Sequence, residues 1–378
     1  MAEPGPGPAR RATGRLLAVL CGALLTGCGG EAAPVAVGVA TAVATTPAAP
    51  SVAATPRPEI LVAVLERRGG AQAANRVAIV GLDGRARAAA ALLPRDVPTP
   101  GGLRAVLQPE ARVAAGAVYY ADGAGVVRRL AVGGGDPRRV ATFPIAAGQQ
   151  ALAFAVSPDG LRLVATVLTV APWHVDVEMA SAGGRTVTVR TIEVPDLEPG
   201  TAPRTLQIAG WDTTGPVALT DGVTAELQDD GTGLWQGHPA HLDAHGTTGR
   251  PMGGPGCGAS FVEPDGTLLC HDPPTATTIV LRPDGSLLHR FTSTGPGPRL
   301  SPDATRLAYS LGGGGAAVQS QDGSVVALAA GFTATGWLDP ATLIGTTRGG
   351  ELAYVALSAP SHAVDMGFPG SFVGVVQG

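Results

Sequence analysis

Apolar and polar residues alternate at period two on both sides of a tight turn in Leu152-Ala153-Phe154-Ala155-Val156-Ser157-Pro158-Asp159-Gly160-Leu161-Arg162-Leu163-Val164-Ala165. Proline presets φ for the first central turn position, aspartate bonds nearby backbone, and glycine accepts positive φ. The segment predicts a β-hairpin. Weaker copies stand at Gln108-Pro109-Glu110, Asp212-Thr213-Thr214-Gly215, Glu263-Pro264-Asp265-Gly266, Ser301-Pro302-Asp303-Ala304 and Leu338-Asp339-Pro340-Ala341, with a degenerate first copy at Arg68-Gly69-Gly70. A second turn class, the hairpin dipeptide Asp-Gly, falls downstream of most of them, at Asp83-Gly84, Asp122-Gly123, Asp284-Gly285 and Asp322-Gly323. Each unit thus reads strand, turn, strand, loop, strand, turn, strand.

Four antiparallel strands recurring every 38 to 55 residues, against roughly 40–50 for propeller repeats, predict an all-β chain folded as a β-propeller. Residues 59–378 accommodate seven four-stranded blades of about 46 residues, with six or eight as alternatives. A blade buries both faces by stacking on its neighbours, which accounts for the unbroken apolar run Ile60 to Leu65. Closing the ring calls for a strand from each end of the chain, with Phe372-Val373-Gly374-Val375-Val376 as the last one. The Ala-rich stretch Arg85 to Leu93 has helix propensity, but the period of its neighbours makes it a strand. With 7 Phe, 4 Trp and 4 Tyr, the cores are packed mainly by Val, Leu and Ala. Trp211 and Trp337 are expected between blades.

The Ser-Pro-Asp hairpins followed by Leu161-Arg162-Leu163 and Leu307-Ala308-Tyr309, together with Gly210-Trp211-Asp212 and Gly336-Trp337-Leu338-Asp339-Pro340, resemble the TolB-like, WD40-like propeller family. The resemblance spans most of residues 59–378, is best at 152–165 and 300–311, and is diverged at 204–248. It implies a closed ring of twisted sheets with ligands or partners at the ring faces, and no particular reaction. TolB itself carries an α/β domain before its propeller, whereas here a tether runs straight into Glu59-Ile60-Leu61-Val62.

At the amino terminus, Arg10, Arg11 and Arg15 precede the apolar run Leu16 to Leu25, the layout of a secretory signal. Ten residues are too few for a membrane span, which needs about 20. The run ends in Leu25-Thr26-Gly27-Cys28, which resembles the bacterial lipobox. That resemblance implies a signal peptide over residues 1–27, a diacylglyceryl thioether on Cys28 and a location outside the cytoplasm, lipid-anchored to the bacterial cell membrane. Residues 28–58, rich in Ala, Val, Pro and Thr, read as a tether to the propeller domain of 59–378.

The chain has 26 Lys plus Arg, all of them Arg. This excludes Schiff-base, Walker and Ser-x-x-Lys chemistry. Gly (55) and Pro (33) are nearly a quarter of the 378 residues and favour frequent turns. Removing residues 1–27 takes away three Arg and one Glu, leaving 23 positive and 29 negative side chains. No overall basic footprint for nucleic acid remains.

Candidate chemistry is sparse. Cys257 and Cys270 are disulfide candidates outside the cytoplasm. Simple pairing across Glu263 to Gly266 sets Val262 against Thr267 and Ala259 against Cys270, and a bulge would bring the sulfurs together. The alternative is two buried thiols. His238-Pro239-Ala240-His241-Leu242-Asp243-Ala244-His245-Gly246 is the densest ligand cluster. A short helix from Pro239 to Gly246 would put His241 and His245 on one face, a spacing that suits Zn; no zincin Glu lies between them, and the competing reading is a solvated loop. Asp229-Asp230-Gly231 resembles a Ca turn without its 12-residue loop. Gly254-Pro255-Gly256-Cys257-Gly258 imitates a phosphate loop but leads into a strand. His174, Asp176 and Glu178 fall on one face of a strand, lining a channel or facing solvent. No cofactor is implied. These residues favour a binding or scaffold module that takes a protein or small ligand at a propeller face. A metal-dependent hydrolase or lactonase and a TolB-like envelope assembly factor are the rivals.

Overall fold

Hairpins dominate the chain as the period-two alternation predicts. The computed structural model describes residues 59–66, 75–92, 95–98, 104–107, 111–146, 150–170, 172–193, 204–223, 236–249, 251–252, 259–263, 266–272, 275–311 and 314–376. These residues form strands and turns, with no helix among them.

Strands β1 (Leu61–Glu66), β2 (Arg76–Gly81) and β3 (Ala86–Ala91) form an antiparallel meander. β4 (Arg95–Pro98) and β5 (Arg104–Leu107) pair as a separate hairpin. Three further antiparallel sheets follow: β6 (Ala111–Ala114), β7 (Ala117–Ala121), β8 (Val126–Ala131) and β9 (Arg138–Thr142); β10 (Gln150–Val156), β11 (Arg162–Val170), β12 (Trp173–Ser181) and β13 (Thr186–Glu193); and the three-stranded β14 (Arg204–Trp211), β15 (Pro216–Val223) and β16 (Gln236–His241). Next come β17 (Ala259–Val262), β18 (Leu268–Asp272), β19 (Thr277–Leu281) and β20 (Leu287–Phe291), then β21 (Arg299–Leu300), β22 (Arg306–Leu311), β23 (Gly315–Ser320) and β24 (Val325–Ala327). Finally β25 (Thr333–Asp339), β26 (Thr342–Thr346), β27 (Glu351–Ala356) and β28 (Ala363–Val376) lead back to the beginning, in one sheet ordered β25-β26-β27-β28-β1-β2-β3.

β28 makes this return possible. Its first part pairs with β27, from Val355↔Ala363 to Glu351↔Pro369, and its last part pairs with β1, from Glu66↔Gly370 to Leu61↔Val376. Pro369 has no N–H to give a ladder and Gly370 has φ +149°, so the strand changes partner where its backbone is least suited to continuing. The expected last strand, Phe372 to Val376, is this closing segment.

Each sheet shares an apolar cluster with the next. Ile79 meets Val118, Tyr120 and Leu130; Phe143 meets Phe154 and Leu163; Val164 and Val177 meet Ile208. Further along, Leu219 meets Leu268, Leu269 meets Leu307, and Val318 meets Trp337 and Leu343. Ile344, Leu352 and Phe368 then pack on Val62, Val64 and Val80 of the first meander. β1 is correspondingly buried on both faces. At its end Glu66, 2% exposed, receives the Arg76 guanidinium at 2.6 Å.

The turn chemistry is largely as predicted. Ser157 and Ser301 close their hairpins by accepting the N–H of Arg162 and Arg306, while their hydroxyls donate to Asp159 and Asp303. The Ala-rich stretch is strand β3. The turn expected at Gln108–Glu110 and the first copy at Arg68–Gly70 lie outside the described residues. The β6–β7 hairpin instead closes at Ala115-Gly116, with φ of 45° and 63°, a two-residue turn of mirror-image hand that carries neither Pro nor Asp.

Candidate functional site

The His-rich segment is strand and turn rather than helix. His238 to His241 belong to β16, which pairs with β15 through Thr220↔His238, Leu219↔Pro239 and Val217↔His241. Pro239 is tolerated because β16 is the last strand of its sheet, where a missing N–H costs no ladder bond. The chain then turns at Asp243, whose Oδ1 accepts the N–H groups of His245 and Thr247 at 2.8 Å, and at Gly246 with φ +70°. Bonds from the Thr247 and His245 amides hold the Asp243 carboxyl below its ordinary pKa. His241 and His245 are therefore not successive turns of a helix: His241 ends the strand and His245 is exposed in the turn.

His241 points to a different partner. Its Nε2 lies 2.8 Å from Asp212 Oδ2 and 2.6 Å from Thr214 Oγ1. Asp212, 1% exposed, directly follows the first strand of the sheet, the position Ser157 and Ser301 hold in theirs. Its Oδ1 accepts from the Thr214 hydroxyl at 2.7 Å and the Thr214 and Gly215 amides at 2.7 and 3.0 Å. Burial raises the Asp212 pKa, but these bonds and the one from His241 outweigh it and leave the carboxyl below its ordinary value. In a hydrolytic triad the acid and the hydroxyl sit on opposite imidazole nitrogens. Here both converge on Nε2, and the Thr214 proton is committed to Asp212. The arrangement clasps a turn to a strand and has no relay.

The row on β12 is as the alternation predicts. His174, Asp176 and Glu178 pair with Thr169, Val167 and Ala165 of β11, and Ala165 belongs to the cluster shared with the β6–β9 sheet. This face is turned towards the neighbouring sheet at Glu178, while His174 and Asp176 keep part of their side chains in solvent. The His174 Nδ1–H donates to the Pro172 carbonyl at 2.9 Å, leaving Nε2 3.5 Å from Asp176 Oδ2, and Asp176 Oδ1 accepts from Thr191 at 2.5 Å. Glu178 is 8% exposed and its Oε2 has no hydrogen-bond partner. Burial first, and the Asp176 charge second, push its pKa up.

Two arginines on first strands were not anticipated. Arg112 Nε donates to the Phe154 carbonyl of β10 at 3.3 Å, and Arg299 Nε donates to the Thr335 carbonyl of β25 at 3.0 Å. Each fastens the first strand of one sheet to the first strand of the next. Burial lowers the Arg299 pKa to about 10, with the Glu263 charge opposing. Trp337 is buried and its Nε1–H donates to the Arg299 carbonyl at 3.0 Å, whereas Trp211 lies under the Arg162 guanidinium at 5.2 Å. Sequence spacing gives no signal for such guanidinium–carbonyl contacts, because the acceptor is backbone.

Cys270 is disulfide-bonded. Ala259 pairs with Cys270 as expected, but Val262 meets Leu268 instead of Thr267, the difference being taken up by a bulge between Ala259 and Phe261. Cys28, Cys257, Asp229–Gly231 and Gly254–Gly258 lie outside the described residues. A cleft of 380 Å³ opens between Phe332, Thr347, Arg348 and Ala363. Among the described residues no three His, Cys, Asp or Glu side chains converge as metal ligands, and no helix is long and apolar enough to cross a membrane.

No protein-family model and no curated protein matches the chain. Among solved structures, a protein from Lactobacillus plantarum is similar with a TM-score of 0.46 at 15% identity, covering 85% of this chain and 99% of its own. The Dos1 propeller gives 0.45 at 11% identity, with 83% and 86% covered. TolB from Acinetobacter baumannii gives 0.42 at 13%, with 70% and 62% covered.

Proposed function

We propose that residues 59–378 form a seven-bladed, TolB-like propeller, and that the chain is a lipid-anchored binding module outside the cytoplasm with no catalytic role. The observation that carries the ring is the succession of apolar clusters, each between neighbouring sheets, with the last joined to the first through β28. The seven blades of this reading are the units of three or four strands among the described residues, with β28 counted in both sheets it serves and the two-stranded β4–β5 hairpin set outside the ring. The non-catalytic reading is supported by the use of His241, Asp212 and Thr214 in a single clasp on one imidazole nitrogen. Its ligand, a protein or a small molecule, would meet a ring face. The anchor at Cys28 and the tether over 28–58 rest on the sequence.

Assay of the purified chain against ester and lactone substrates, with and without chelator, tests the reading. It predicts no turnover and an unchanged Tm on chelation. Turnover that disappears in Asp212→Ala or His241→Ala would overturn it in favour of a hydrolase. Detergent-phase partitioning tests the anchor: the wild type enters the detergent phase and Cys28→Ser does not. Equal partitioning of the two removes the anchor from the proposal.

A further inference from the structure

The ribbon of β8 and β9 carries four arginines in two directly opposed pairs, Arg128 across from Arg139 and Arg129 across from Arg138. Directly opposed side chains on antiparallel strands stand about 4.5–5.5 Å apart at Cβ, and like charges there weaken the pairing. Two successive pairs of this kind oppose folding, in a chain whose formal net charge is −4. Arg138 and Arg139 are exposed, and Arg128 and Arg129 half-buried. Among the described residues the one ion pair these four make is Arg128 Nε to Asp122 Oδ2 at 3.3 Å. Asp136, exposed in the intervening turn, is the other acid on the ribbon. β9 is the outer strand of its sheet, so the rim of the ribbon meets solvent.

The two pairs lie on opposite faces. Tyr120, across from Arg128, packs towards β1–β3, and Tyr119, across from Arg129, packs towards β10–β13. We propose that each opposed pair is a clamp for one phosphomonoester group, so that the ribbon binds an anion or surface bearing such groups. A phosphomonoester carries about −1.5 to −2 charges near pH 7 and so matches two guanidiniums, each able to bond it through two N–H groups. A carboxylate, with one charge, leaves half of each pair uncompensated. The inference depends neither on the ring nor on the anchor.

Arg138→Glu/Arg139→Glu tests it, because each new glutamate faces a remaining arginine. The full chain is titrated with inorganic phosphate, and separately sedimented with vesicles of phosphatidic acid in phosphatidylcholine against phosphatidylcholine alone. The expected result is binding in at least one arm, weakened at least about tenfold in the variant, while the Tm of the variant rises as opposed charges replace like ones. Phosphate binding alone assigns a soluble ligand; vesicle binding alone assigns a lipid headgroup. Arg138→Gln/Arg139→Gln, which introduces no new charge, should lose binding equally. Binding in neither arm, binding unchanged in both variants, a lower Tm in the glutamate variant, or equal affinity for polyglutamate would each overturn the proposal.

Discussion

Gly370→Ala probes the closing strand directly. At φ +149° a residue with a side chain costs about 1–3 kcal/mol. The added Cβ would also strike the Leu65 carbonyl and come within 2.9 Å of Val64 Cγ1 and 3.0 Å of Glu66 Cα. Two of these three atoms are backbone of the strand to which β28 pairs, so relief requires the two strands to separate. Overpacking of this kind costs a further ~1–3 kcal/mol. The sum, roughly 2–6 kcal/mol, corresponds to a fall in Tm of about 4–12 °C at ~2 °C per kcal/mol. Gly323→Ala is the control: it has φ +84° with nothing within 4 Å of the new Cβ, so it bears the backbone strain without the collision. Thermal unfolding of both variants separates the two contributions. If Gly370→Ala loses no more than Gly323→Ala, β28 does not hold β1 as described.

Ala304 occupies, at φ 57°, the turn position that Gly160 fills at φ 72° in the better copy. Ala304→Gly should therefore gain about 0.5–1 kcal/mol, read as a rise in urea midpoint, and a loss would refute the strain. Glu178 has a folded-state pKa above its ordinary 4.5, so the folded chain holds this proton more tightly than the unfolded one, and stability falls as pH rises from that value through the folded pKa. Glu178→Gln should match the wild type at pH 4 and exceed it at pH 7; a variant less stable at pH 7 would contradict this. Cys257 is the expected partner of the disulfide-bonded Cys270, closing a short loop whose bridge contributes roughly 3 kcal/mol. Unreduced peptide mapping should recover both residues in one cross-linked fragment, and separate fragments would rule the pairing out. Asp212→Ala leaves the Thr214 and Gly215 amides without their acceptor and should cost about 2–3 kcal/mol, whereas Asp212→Ser retains a turn acceptor and should cost about 1. Equal losses in the two variants would place the weight on the His241 contact instead.

The strands were legible because a hairpin writes itself into adjacent residues. Ser157 to Gly160 carries its turn in four consecutive letters, and Ile60 to Leu65 announces burial on both faces by lacking polar positions. The β6–β7 turn was missed for the converse reason: Ala115-Gly116 adopts positive φ without the Pro and Asp that usually mark a turn. The i, i+4 spacing of His241 and His245 has a common face only in a helix, and the segment is a strand running into a turn. The partner that fixes the His241 ring, Asp212, lies 29 residues away, just after another strand. Local pattern reaches neither this contact nor the Arg299 contact with the Thr335 carbonyl, since both depend on how strands are brought side by side.

Repetition turns such departures into information. A fold that builds one hairpin many times shows what the hairpin requires, and in the Ser157 and Ser301 copies it is closed by a hydroxyl together with the turn aspartate two residues on. Asp212 supplies more than that: a buried charge, spent on two amides, a hydroxyl and an imidazole. The extra capacity is matched by a change in the sheet around it, which among the described residues has three strands and runs Pro239 along its outer edge. A carboxylate that must be buried needs every lone pair occupied, and the diverged sheet delivers His241 to the one oxygen that the turn leaves open. The opposed arginines of β8 and β9 depart from the repeat in the other sense, since among the described residues Arg128 alone of the four has an acid partner, Asp122. A departure satisfied from inside the fold is accounted for by stability; one left unsatisfied at an exposed rim points outward, to a ligand.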